Sequence, residues 1–238
     1  MNKRSYPGRI IIIGKDRSDH HVITIYAITG RSCSSQAREI IYSQGKALVK
    51  PTDRQKIQKG KPDLLIYPAL RIGKGIVVSN GKHTDDIYKN INITSHPVET
   101  LAAGLKSWHY ESDPPNYTPR ISGCILSEEK AALSIIKRAD NGRSLKNFYE
   151  FPLISGKGKM ISTYEGQNKD PLPSFKGEPV DIEINTAEAD EAAQYIYHSL
   201  KPKTNQPDFR VALICVFSQK TRLQKNKVSI INRHKRRK

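Results

Sequence analysis

The residues of this chain that could do chemistry fall into four short clusters, each holding glycine, proline or asparagine. The first is Tyr6-Pro7-Gly8-Arg9, where Gly8 permits close backbone approach beside a cation. The second spans residues 30–38 and reads GRSCSSQAR, with a glycine, several hydroxyls and the two arginines Arg31 and Arg38. An arginine presents a planar fork that matches phosphate oxygens, and hydroxyls add further donors. The composition suits a phosphate cradle, but it lacks the Gly-Lys-Ser/Thr ending of a nucleotide P-loop. The third cluster, residues 79–88, reads SNGKHTDDIY. As plain structure it is a hairpin exit with an Asx turn. The fourth, residues 111–121, reads ESDPPNYTPRI, with two acids, three prolines, Asn116, Tyr117 and Arg120. Its prolines stiffen it, so its polar groups are held at low entropic cost. As plain structure it is a solvated, proline-rich connection.

Other chemistries lack their signatures. There is no His-Glu-x-x-His, no paired Cys-x-x-Cys, no Gly-x-Ser-x-Gly and no dinucleotide glycine fingerprint after a strand. Cys33, Cys124 and Cys215 are odd in number and widely spaced, which argues against a disulfide framework or a zinc site and for a reducing compartment. Cys33 lies inside the second cluster, with nothing beside it to make a reactive thiolate. His20-His21 reads as a surface pair. Taken alone, the local chemistry reaches as far as a site for an anionic small molecule.

Clusters of this kind need strand ends and turns to position them. Residues 9–14 form a dense strand around Ile10 to Ile13. Residues 22–29 form a second, with Val22, Thr24, Tyr26 and Ile28 on one face and Ile23, Ile25 and Ala27 on the other. Apolar side chains on both faces make it central. Residues 39–42 suggest a third strand. Residues 64–70 and 76–79 flank a Gly73-Lys74-Gly75 turn, which signals a hairpin. Residues 97–105 show a short helical pattern that opens on a proline. Residues 120–127 and 132–137 suggest a strand pair, and 148–153 with 159–164 suggest another around Ser155-Gly156-Lys157-Gly158. Asn185 and Glu188 resemble a capping box. The helix it would open runs to about Leu200, with Ala189, Ala192, Ala193, Ile196 and Leu200 on one face. Residues 209–217 give a last strand. Strands in hairpin order with few helices indicate an α+β fold of antiparallel sheets.

The 238 residues suffice to bury a sizeable core. No segment approaches the roughly 20 apolar residues of a membrane span, and no apolar stretch follows the charged N-terminus as in a secretory signal. The net charge of +17 suggests nucleic acid. However, residues 220–238 carry nine Lys or Arg and no acid, and without them 31 basic residues face 23 acidic ones. The expectation is one domain over 1–219 followed by a basic, disordered tail over 220–238, which allows nonspecific nucleic-acid contact.

The clusters, in their order, resemble the archaeal-type IMP cyclohydrolase family. The stretches that carry the resemblance are YPGR at 6–9, GRS at 30–32 with Ser35 and Arg38, IYPALR at 66–71, SNG with Thr84 and Asp85 at 79–85, and PNYTPRISG at 115–123. STYEG at 162–166 and LPSFKGEP at 172–179 add to it. The sequence departs from the family pattern at Gln36, where a basic residue is expected, and at His109 and Ser112. The resemblance implies closure of formamido-imidazole-carboxamide ribotide (FAICAR) to IMP with loss of water, in purine nucleotide synthesis in the cytoplasm, without metal or organic cofactor. It implies a four-layer α/β/β/α sandwich of antiparallel sheets similar to the N-terminal nucleophile hydrolases, though Met1-Asn2 supplies no such nucleophile. It also implies a homo-oligomer, with a tetramer as one form.

The residues fit that chemistry. Glu111 is the first candidate for acid/base work, with Asp113 or Asp85 in reserve. Asn80, Asn116 and Tyr117 are candidates to orient the base and the carboxamide. Arg9, Arg31 and Arg38, with Ser32, are candidates for the phosphate. Arg120 suits either the phosphate or a structural ion pair, and Tyr67 and Tyr164 could line the pocket. Two other readings stay open: a purine-nucleotide-binding protein without catalysis, and an RNA-binding protein acting through its tail.

Overall fold

Ile10 to Ile13 show why the strands stack as they do. In β1 (Arg9–Lys15), Ile11 and Ile13 point into a core between two sheets, while Ile10 and Ile12 point into a second core beneath a helix. A strand buried on both faces needs an unbroken apolar run, and β1 has one. The computed structural model describes residues 6–52, 66–202 and 204–234.

In chain order the elements are β1, β2 (His21–Thr29), α1 (Cys33–Gln36), β3 (Arg38–Ser43), β4 (Lys46–Pro51), β5 (Tyr67–Ile72), β6 (Ile76–Ser79), α2 (His83–Lys89) and α3 (Pro97–Gly104). There follow β7 (Arg120–Ile125), β8 (Lys130–Arg138), β9 (Ser144–Pro152), β10 (Lys157–Ser162), β11 (Val180–Glu183), α4 (Ala189–Ser199), β12 (Arg210–Gln219) and β13 (Arg222–Asn232). Six strands form one sheet in the order β11-β10-β1-β2-β12-β13, and seven form the other in the order β3 to β9. Every strand pairing within the two sheets is antiparallel.

The largest core lies between the sheets, joining Ile11, Tyr26, Ile28 and Ile214 to Ile40, Tyr67, Ile121 and Leu133. The sheets approach closely at Gly123, where a Cβ would stand 2.5 Å from Ile13 Cδ1. On the outer side of the six-stranded sheet, α4 packs Ala189, Ala192, Ala193 and Ile196 against Ile10, Ile12 and Leu213. On the outer side of the seven-stranded sheet, α2 and α3 pack Ile87 and Leu101 against Val77, Cys124 and Ala132. The antiparallel two-sheet expectation therefore holds, with helices on both outer faces.

Several local expectations do not. The proposed pairing of 148–153 with 159–164 is absent: β9 pairs with β8 in one sheet and β10 with β1 in the other. The glycine turn between them carries the chain across the sandwich instead of closing a hairpin. The Asn185 capping box is also absent. Glu188 precedes the first helical residue, no side chain caps the helix, and Glu188 N instead donates to Thr186 Oγ1 at 3.1 Å. Residues 83–89, read as loop, form a helix, because Gly81 turns the chain and His83, Thr84 and Ile87 have a buried face to fill. The expected start of β5 at 64–65 lies outside the described residues.

The largest correction concerns the tail. Residues 222–232 are not disordered: they form β13, in register with β12 from Ala212 opposite Asn232 to Phe217 opposite Lys227. An edge strand tolerates lysines on its open side, where they discourage pairing with other chains, and this composition mimics a solvated tail. All three cysteines are free, with Cys33 exposed and Cys124 and Cys215 buried. No helix among the described residues is long and apolar enough to cross a membrane.

Candidate active site

Strand alternation places the first two site residues. Arg9 continues the inter-sheet row of Ile11 and Ile13, and Arg38 continues that of Ile40, so two apolar rows end in arginine. Register brings these ends together. Arg9 lies opposite Ile28, Thr29 lies opposite Arg210 at the start of β12, and Asn232, opposite Ala212, contacts Ile40 two residues past Arg38. Tyr67, at the start of β5 in the same sheet as Arg38, joins them, with its hydroxyl 2.7 Å from that of Tyr26 in the facing sheet.

Both guanidinium groups are buried and under-bonded. Arg38 has no exposed surface; its Nε donates to Ser35 O at 2.8 Å, but Nη1 and Nη2 find no acceptor among the described residues. Arg9 is 8% exposed and its Nε has no acceptor among the described residues. Burial and the neighbouring charge of Arg9 hold the Arg38 pKa below its ordinary value. Desolvating cations without an acceptor costs several kcal/mol each, so such donors mark a place built for an anion.

Glu111 faces this pair. It is 3% exposed, its backbone N–H donates to Thr118 O at 2.9 Å, and Arg120 Nη1 lies 3.5 Å from Oε1. Burial raises the carboxyl pKa to about 7, against the pull of Arg9 and Arg120 and with a contribution from Asp113. A carboxyl poised near neutrality can take and return a proton. Arg120 is itself held: its guanidinium lies 4.7 Å over the Trp108 ring, its Nε donates to His109 O at 2.8 Å, and Trp108 Nε1 donates to Asp86 Oδ2 at 3.1 Å. The His83 ring lies 5.4 Å from that of Trp108, tilted by 54°; burial first and Arg120 second lower its pKa to about 3, so the ring is neutral.

The remaining sequence candidates separate by what they touch. Asp113 accepts from Thr118 N at 2.7 Å and Thr118 Oγ1 at 2.5 Å, and that hydroxyl meets Tyr164 OH at 2.6 Å. Asn80 receives Ile121 N at 2.8 Å and donates to Pro119 O at 2.9 Å, so both ends of its amide hold backbone. Asn116 Oδ1 receives Leu172 N at 2.9 Å. Tyr117, at a φ of 44°, puts its ring edge-on to Tyr110 and beneath the Arg138 guanidinium. Ser32 caps α1 by accepting from Ser35 N, and exposed Arg31 donates to Lys169 O at 3.2 Å on the rim. Asp85 pairs with Arg71 at 2.5 Å. Arg71 is four residues along β5 from Tyr67, about 13 Å at strand rise, so Asp85 is committed away from the arginine pair. Tyr26, Trp108, His83 and Thr118 were not singled out from sequence. Tyr26 was findable, since it shares the face of Val22 and Ile28, whereas Trp108 gives no local signal.

The profile of the family described as IMP cyclohydrolase-like protein matches residues 6–222. Among similar proteins, the IMP cyclohydrolase of Methanothrix thermoacetophila is 33% identical over 168 residues, covering 70% of this chain and 78% of its own. That of Methanosphaera stadtmanae is 27% identical over 194 residues, covering 81% and 85%. That of Methanopyrus kandleri is 29% identical over 182 residues, covering 72% and 89%. Arg9, Arg38, Glu111 and Arg120 all fall within the matched span, and the chain belongs to the IMP cyclohydrolase-like family.

Proposed function

We propose that this chain is an IMP cyclohydrolase that closes FAICAR to IMP with loss of water, in purine nucleotide synthesis. The observation that carries the reading is the pair of buried arginines with free donors beside a carboxyl poised near pH 7. Arg9 and Arg38 take the ribotide phosphate, with Arg31 and Ser32 at the rim. A carboxamide nitrogen is a weak nucleophile, so it must be held against the formyl carbon, and positioning supplies several kcal/mol. Glu111, as carboxylate, takes an amide proton while the nitrogen–carbon bond forms. It then returns that proton to the formyl oxygen, giving a hydroxyl, and this hydroxyl takes a second proton released from the formamido nitrogen and leaves as water as the carbon–nitrogen double bond of the ring forms. Arg120 stabilises the negative charge that develops at this oxygen and keeps Glu111 in reach. Asp113, Asn80, Asn116 and Tyr117 act by fixing the loops that carry Glu111 and Arg120, and Tyr67 and Tyr164 wall the pocket.

The finer expectations belong to the same reading: no cofactor, a cytoplasmic homo-oligomer such as a tetramer, and kinship of the sandwich with the N-terminal nucleophile hydrolases. The layered sheets and the family membership support them.

Incubating the pure chain with FAICAR and following IMP absorbance tests the proposal. IMP should form, and Glu111→Gln should keep nucleotide affinity while losing about a hundredfold or more in turnover. IMP binding without ring closure by the unaltered chain would sink it.

A further inference from the structure

We propose that strand β13, together with His234 two residues past its end, is a positioning element for the anion site, holding Arg38 from both sides in sequence; this rests on the phosphate role given to Arg38 above. Two residues before Arg38, the Gln36 side-chain oxygen meets His234 Nε2 at 3.0 Å while its nitrogen donates to Gly30 O at 2.5 Å. Two residues after it, Ile40 N–H donates to Asn232 Oδ1 at 2.8 Å and Ile40 O accepts from Asn232 Nδ2 at 2.9 Å. β3 is the edge strand of its sheet, so its outward N–H and C=O face no further strand. A primary amide offers one acceptor and a donor at the spacing of a peptide group, and Asn232 uses both to stand in for the missing neighbour. The contact joins the edge of the six-stranded sheet to the edge of the seven-stranded one. β13 is fixed in turn by its ladder to β12 and by Arg233, whose Nη1 lies 3.5 Å from Asp208 Oδ1.

Arg38 is fully buried, and its one side-chain hydrogen bond among the described residues runs to Ser35 in its own loop. Its fork therefore sits where the backbone of β3 puts it, and a shift of about an ångström is enough to spoil a bidentate contact. β13 lies almost wholly past residue 222, where the family match ends, so this support is separate from the matched motifs.

The test titrates IMP and inosine into the full chain and into Asn232→Leu, with Tyr42→Phe as control. Tyr42 OH donates to Asn226 Oδ1 at 3.0 Å on the same seam, farther from Arg38. Asn232→Leu should weaken IMP about tenfold or more and leave inosine within twofold, while Tyr42→Phe changes neither. If Asn232→Leu does not fold, Asn232→Ser makes the same comparison. The inference is overturned if the variant binds IMP as the unaltered chain does, or if it loses IMP and inosine equally. If the unaltered chain itself binds IMP no better than inosine, the phosphate role of Arg38 fails, and the inference with it.

Discussion

Glu111 carries opposite demands from its burial and from its neighbours, and burial wins. Its pKa is raised on folding, so the folded chain prefers the neutral carboxyl. Stability from this group is fully present below its unfolded value near 4.5, is lost as pH climbs to about 7, and is level above that. Glu111→Gln removes the dependence. Its melting temperature should exceed that of the unaltered chain by several degrees at pH 8 and match it at pH 5, as calorimetry can show; an equal difference at both pH values would contradict the raised pKa. Turnover should fall below about pH 7 as the base takes its proton. Arg9, Arg38 and Glu111 could be singled out as candidates in the sequence because their types suit an anionic substrate. The contacts by which Asp113 and Asn116 hold their loop could not. Asn116 holds Leu172, 56 residues away, and a sequence does not display such a partner.

At the scale of elements, the loop after β6 and the lead into β7 act as one unit because Asn80 joins them. Asn80 is 2% exposed and bonds Ile121 N–H and Pro119 O. Asn80→Ala leaves two buried backbone groups unpaired, at about 1–3 kcal/mol each. We expect a melting point lower by roughly 5–10 °C, with Arg120 and hence turnover affected as well. An unchanged melting curve would show that water replaces the amide. Strands with dense apolar runs buried on both faces, β1, β2, β7 and β12, could be read from the chain to within about two residues at either end. β9 and β10 were found but paired with each other, because nothing in their sequence says which sheet a strand joins. β13 was missed because its lysines, set among Leu223, Val228 and Ile230, look like solvated charge until β12 is placed beside them.

For the whole molecule, the net charge of +17 is the feature most open to misreading. Lys220 bonds Asp19 at 2.9 Å and Glu128 at 3.4 Å, Lys227 bonds Glu188 at 3.2 Å, and Arg233 lies 3.5 Å from Asp208. Part of the basic C-terminal stretch is thus internal bonding and not a free arm for RNA. The two functions differ in how salt acts on them. Exposed charges are screened within about 10 Å at 0.1 M salt, whereas buried pairs are screened far less. An RNA arm making several phosphate contacts loses about a thousandfold in affinity between 50 and 200 mM salt. IMP held by Arg9 and Arg38 should lose less than about tenfold over the same range, the remainder being long-range attraction to a basic surface. Calorimetric titrations at the two salt concentrations separate these cases. A steep loss for IMP would mean that its phosphate meets solvated surface cations, and the two buried arginines would then need another ligand to account for their free donors.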